Sequence, residues 1–202
     1  MSTITSEPEK KILDAAKKVF EEYGYNGARM QQIADEAGIS KASLHYYFRS
    51  KENLFDRIFD ETMSDFMLIV STWNNTTEQW DVKLRKFIIE FFTFLKTNSL
   101  LFILIEINRN PELLNRKKPK PKPKAGFISY FENLKQEGVI KDVNIPLIYI
   151  FMHSLCSYPL LNKSLFKRTT GMSEIDFDAF MDTYPEYVAD FLINALKKNK
   201  HK

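Results

Sequence analysis

Lys41, Ala42 and Ser43, followed by His45, Tyr46 and Tyr47, are the residues of this chain best suited to act on another molecule. Leu44, Tyr47 and Phe48 stand at i, i+3 and i+4, so a helix over 41–48 is anchored along one side. Its other side carries an ammonium, a methyl and a hydroxyl in the first turn, then an imidazole and a phenol. Such groups read a DNA major groove: Lys41 donates to guanine O6 or N7, and Ala42 packs on a thymine methyl. His45, Tyr46 and Tyr47 suit phosphate oxygens, rings packed and polar tips outward. A core position suits Tyr47 equally well. Ser40, just before, is a natural helix N-cap.

These residues need a short helix and a tight turn to hold them. Ile33, Ala34 and Ala37 share one helical face over 31–37, with Gly38 next, the residue best suited to a left-handed helix end. Ile39 then plugs back into a small core. This is the layout of a helix-turn-helix, whose second helix enters the major groove N-terminus first. Gln31, in the first turn of its first helix, can meet the DNA backbone. Upstream, Ser6-Glu7-Pro8-Glu9 reads as a capping box opening a helix with Ile12, Leu13, Ala16, Val19 and Phe20 inward. Gly24 ends that helix, and 25–29 is a link. Ser50 caps a further long helix carrying Leu54, Phe55, Ile58, Phe59, Thr62, Met63 and Phe66. Lys51 sits at its start, where N–H groups and the dipole favour a phosphate.

Together these stretches resemble the DNA-binding domain of the TetR family of transcriptional regulators. The resemblance is carried by the first amphipathic helix, Tyr23-Gly24-Tyr25, the run Ile33 to Lys41, Leu44-His45-Tyr46-Tyr47-Phe48, and Ser50-Lys51-Glu52-Asn53-Leu54-Phe55. It covers the first sixty residues. One departure is Arg29-Met30, where the family usually has Thr or Ser. The hydroxyl cap is lost there, and Arg29 can offer an ionic phosphate contact instead. The resemblance implies an all-α chain of about nine helices: a three-helix DNA-binding domain over 1–50 and a helical regulatory and dimerisation domain over 51–202. It implies a sequence-specific regulator, a repressor released from a palindromic double-stranded DNA operator by a small-molecule inducer. Whether the chain represses or activates depends on where the operator lies. The alternative is a helical ligand-binding protein whose head no longer reads DNA.

Beyond residue 70 only the architecture is legible. Residues 81–96 place Leu84, Phe87, Ile88, Phe91, Phe92 and Leu95 on one helical face. Residues 100–107 form a short apolar helix that Pro111 terminates. The run 116–124, R-K-K-P-K-P-K-P-K, is a stiff extended connector, or else a surface that touches DNA or acidic lipid. Helices follow over 127–136 and from Asn144 to about 160, and Pro185 interrupts or starts the last. Candidates for lining an effector cavity are Trp80, Phe92, Phe102, Glu106, Phe131, Tyr149 and His153, although aromatic stripes are more often plain core. The effector expected is an apolar or aromatic small molecule. Phe151, Leu155, Tyr187, Phe191, Leu192 and Ala195 are candidates for a homodimer interface of two helices from each copy.

Composition sets bounds. Residues 1–60 hold nine Lys and Arg against ten Asp and Glu, so the head is not basic as a whole. From 29 to 51, Arg29, Lys41, Arg49 and Lys51 outnumber Asp35 and Glu36. DNA affinity therefore has to come from a few placed contacts and from doubling in a dimer. No Ser–His–Asp order, Gly-rich phosphate loop or metal-ligand spacing occurs, so neither an enzyme, a cofactor nor a metal is expected. His153 and Cys156 supply only two ligands. The polar opening residues and the single cysteine fit an unsecreted, cytoplasmic chain. No apolar run approaches the roughly 18 residues of a membrane span.

Overall fold

The computed structural model describes residues 6–74, 77–98, 100–115 and 126–198. Eleven helices occur among them: α1 (Glu7–Gly27), α2 (Met30–Ala37), α3 (Lys41–Tyr47), α4 (Lys51–Asn74), α5 (Trp80–Thr97), α6 (Leu100–Arg109), α7 (Glu112–Asn115), α8 (Phe127–Gln136), α9 (Ile145–Leu161), α10 (Lys163–Thr170) and α11 (Glu174–Leu196). The described residues contain no strand, only an isolated bridge between Ile140 and Lys197. The fold is all-α, as expected. The count exceeds nine because the four-residue α7 and the eight-residue α10 stand as separate pieces.

By packing, the chain divides into two compact units, Met1–Asp65 with Phe102–Lys118 and Phe66–Leu101 with Pro119–Lys202. The first is the head. Its core joins Ile12, Leu13, Ala16, Val19 and Phe20 of α1 to Ile33, Ala34 and Ala37 of α2, Leu44 of α3, and Leu54, Phe55 and Ile58 of α4. Ile103 and Leu113 complete that core from much later in the chain. The division expected after residue 50 thus separates α1–α3 from the rest, whereas packing carries the first unit through Asp65 and adds a distant segment.

The second unit is built on α5, α9 and α11. These helices pack on one another, and buried on them are Leu84, Ile88, Phe91, Phe92 and Leu95 of α5, Ile148, Met152 and Cys156 of α9, and Met181, Val188, Ala189, Leu192 and Leu196 of α11. Arg85 ties α5 to α11 through Glu186 at 2.5 Å and through Asp190. Pro185 lies inside α11, which starts at Glu174 after the capping Ser173. Among the described residues no single helix is long and apolar enough to cross a membrane; α9 and α10 reach that length only as a pair bent by 81°. The Pro-Lys run over 116–124 lies outside the described residues.

Candidate nucleic-acid interface

The head is organised by local rules. Gly38 ends α2 in the left-handed conformation, φ 65° and ψ 37°, and its N–H returns to Asp35 O at 3.1 Å. Ser40 Oγ accepts from Ser43 N–H at 3.0 Å and so caps α3. Leu44 is 0% exposed and Phe48 is buried, which fixes the rotation of α3 about its axis. The opposite face is then exposed: Lys41, Ala42, Ser43, His45 and Tyr46, the last at 84%. Tyr47 is also exposed rather than in the core, with its ring edge-on to Tyr46 at 5.3 Å. All six of these residues of α3, with Ser40 at its cap, are therefore accessible.

The flanking candidates fare differently. Gln31 is exposed, and its Nε2 donates to Asp35 Oδ1 at 2.8 Å. Arg29 is exposed at the N-cap of α2, where a guanidinium cannot accept a hydrogen bond. The cap is made in reverse: Arg29 N–H donates to Gln32 Oε1 at 2.9 Å. That Gln three residues on was the overlooked sequence signal. Ser6 holds the N-cap position of α1, but its hydroxyl makes no capping bond.

Lys51 departs from expectation. Its Nζ donates to Asn26 O at 3.3 Å and Ala28 O at 3.1 Å, and lies 4.8 Å from the centre of the Tyr25 ring. Carbonyls left over at a helix end attract a cation, so two of its three donors tie down the end of α1 and Ala28 just beyond it. His45 is engaged on one side, Nδ1 lying 3.2 Å from Arg49 O.

The effector candidates do not form one group. Trp80 and Phe131 meet edge-on at 6.4 Å, and Phe127, Tyr149 and His153 continue the ring contacts, Tyr149 to His153 at 4.4 Å. Phe92 is buried against Tyr184 at 5.8 Å. Burial lowers the His153 pKa and pushes the Cys156 thiol up to about 12, so the thiol stays protonated. The side chain of Phe102 lies outside the description. Glu106, expected to face a ligand, belongs instead to the compact unit of the head. It is 3% exposed, and its carboxylate accepts from Tyr25 N–H at 3.1 Å and Asn110 Nδ2 at 3.3 Å. A charged group does lie among the rings: Lys83, which no sequence motif marks, is buried on α5 with Nζ 4.6 Å from the centre of the Tyr130 ring. Among the described residues, no three His, Cys, Asp or Glu side chains converge to hold a metal ion.

The interface candidates separate by helical phase. Phe151 (42%), Tyr187 (64%) and Phe191 (61%) are exposed, and Leu155 and Ala195 are half-buried. Leu192 is wholly buried in its own core, one residue out of phase with Phe191, so a partner cannot reach it.

A trihelical head whose last short helix shows polar residues outward is a helix-turn-helix unit. Comparison with known proteins agrees. Residues 12–58 match the family described as bacterial regulatory proteins, tetR family. The HTH-type transcriptional regulator QacR of Staphylococcus aureus is 30% identical over 152 residues, 66% of this chain and 75% of QacR. RutR of Escherichia coli is 48% identical over 54 residues, only 27% of this chain and 26% of RutR. The crystal structure of a TetR-family regulator from Mesorhizobium loti shares the fold, with a TM-score of 0.62 at 21% identity over 98% of this chain and 100% of that one. The chain belongs to the TetR family of helix-turn-helix transcriptional regulators, and its relatives are DNA-binding regulators rather than enzymes.

Proposed function

We propose that this protein is a homodimeric repressor that releases a palindromic operator when a small molecule enters its C-terminal helices. The observation that carries this reading is the outward face of α3, with Leu44 locked inward and Lys41 through Tyr46 turned away from the core. In two copies, paired heads would meet successive major grooves about 34–36 Å apart. The pairing surface is the apolar outer face of α9 and α11, where Ile150, Phe151, Tyr158, Tyr187 and Phe191 stand exposed. Ligand binding favours release only to the extent that the effector prefers the conformer with the wrong head spacing. The ring cluster of Trp80, Phe131, Tyr149 and His153 suits an apolar or aromatic effector. Direct base contacts fall to Lys41, Ala42 and Ser43, and phosphate contacts to Arg29, Gln31, His45, Tyr46 and Tyr47.

The test is Lys41→Ala in the full chain, against a duplex the wild type has selected from a randomised pool. Removing one good base contact costs about 1–3 kcal/mol of discrimination. Specific binding should fall by that amount while binding to random duplex weakens little. Equal specificity in wild type and variant would remove Lys41 from the reading surface.

A further inference from the structure

The link that positions the reading helices is held by side chains from outside it. Gly24 interrupts α1 with φ 69° and ψ 169°, a conformation essentially reserved for glycine. The break removes the helical acceptor that Tyr25 N–H would otherwise find. A buried backbone donor needs a partner, and this one donates to Glu106 Oε2, 81 residues away. The same oxygen accepts from Asn110 Nδ2, while Oε1 faces Arg109 Nη1 at 3.4 Å. One residue along, Asn26 Nδ2 donates to Asn110 Oδ1 at 2.9 Å. From the other side, Lys51 binds Asn26 O and Ala28 O, and Tyr25 Oη bonds to Glu52 Oε1 at 3.3 Å. Residues 25–28 are thus gripped by α4 and by α6, and α2 begins at Met30.

Burying a carboxylate is costly unless its oxygens are answered. A leucine would fill the same volume without that cost, so volume alone does not account for Glu106. What a leucine cannot supply is an acceptor aimed at the main chain of the link. We propose that Glu106 and Asn110 are positioning residues for DNA reading: they fix the link after Gly24, and through it the angle at which α2 and α3 are presented. This rests on the DNA-reading function proposed above. Since Glu106 lies on α6, a displacement of that helix acts on the reading surface through this pair of side chains.

The experiment uses the full chain and two probes, a duplex selected by the wild type from a randomised pool and a random duplex of equal length. Glu106→Ala should lower affinity for the selected duplex about fivefold or more, with random binding close to wild type. Glu106→Gln keeps an acceptor oxygen and should restore most of the loss. Hydrogen exchange should show the Tyr25 amide protected in wild type and in Glu106→Gln, and fast in Glu106→Ala. A folded Glu106→Ala protein with wild-type discrimination overturns the proposal. Should that variant fail to fold, Asn110→Ala decides: lowered discrimination supports the proposal and wild-type discrimination overturns it. If the wild type draws no duplex from the pool, the regulator reading itself falls, and a protected Tyr25 amide then marks only a structural tie.

Discussion

Two lysines ten residues apart show how environment assigns work to a side chain. Lys41 is exposed at the first turn of α3, whereas Lys51 lies on carbonyls at the end of α1 and on the face of Tyr25. Burial makes a similar assignment for His153, whose ring lies 4.8 Å from Phe91 and 4.4 Å from Tyr149. Desolvation holds its pKa below the ordinary 6.5. The folded protein therefore keeps it neutral while the unfolded chain takes up a proton near 6.5. The penalty is absent above that value, grows as pH falls through it, and levels off below the folded pKa. Thermal melts from about pH 7 to about pH 5 should drop more steeply for wild type than for His153→Phe. Parallel curves would mean that the ring is solvated in the folded state.

Among the elements, α3 is short enough for its cap to matter. Ser40→Ala removes the acceptor for Ser43 N–H and should cost about 0.5–2 kcal/mol in urea unfolding; an unchanged midpoint would show the cap to be dispensable. The elements legible in the sequence were those built from near neighbours. Gly38, Ser40 and Leu44 define the turn and the phase of α3 within six residues, and Asn144 caps α9 through Leu147 N–H at 3.0 Å. What stayed hidden depends on distant partners. Gly24 reads as a helix stop, yet the chain resumes a helical turn beyond it because Glu106 and Lys51 satisfy the broken ladder. The helix α10 carries only two apolar residues, Leu165 and Phe166, too few to announce it; Lys163 and Lys167 hold it to α11 through Glu174, with Lys163 also reaching Asp178 at 3.2 Å. Leu192 and Phe191 are grouped in one expected interface, but Leu192 faces its own core and Phe191 faces out. Spacing shows that a helix is amphipathic; it does not show which apolar residues belong to a second surface.

For the whole molecule, that second surface is the test of assembly. Ile150, Phe151 and Tyr158 of α9 and Tyr187 and Phe191 of α11 are large apolar side chains left exposed on two helices that pack together, the kind of surface that marks an interaction site. Phe191→Glu should shift the protein toward monomer in sedimentation and weaken binding to a two-half-site duplex far more than to a single half-site. An unaltered sedimentation coefficient would move the pairing surface elsewhere. The core of the head has its own consequence at this scale, since Ile103 and Leu113 are among its residues. The reading module is not a continuous piece of chain. Anyone grafting it onto a foreign body must transplant two stretches, or the hybrid will carry holes where those side chains stood, and its DNA preference will be set partly by whatever the recipient supplies in their place.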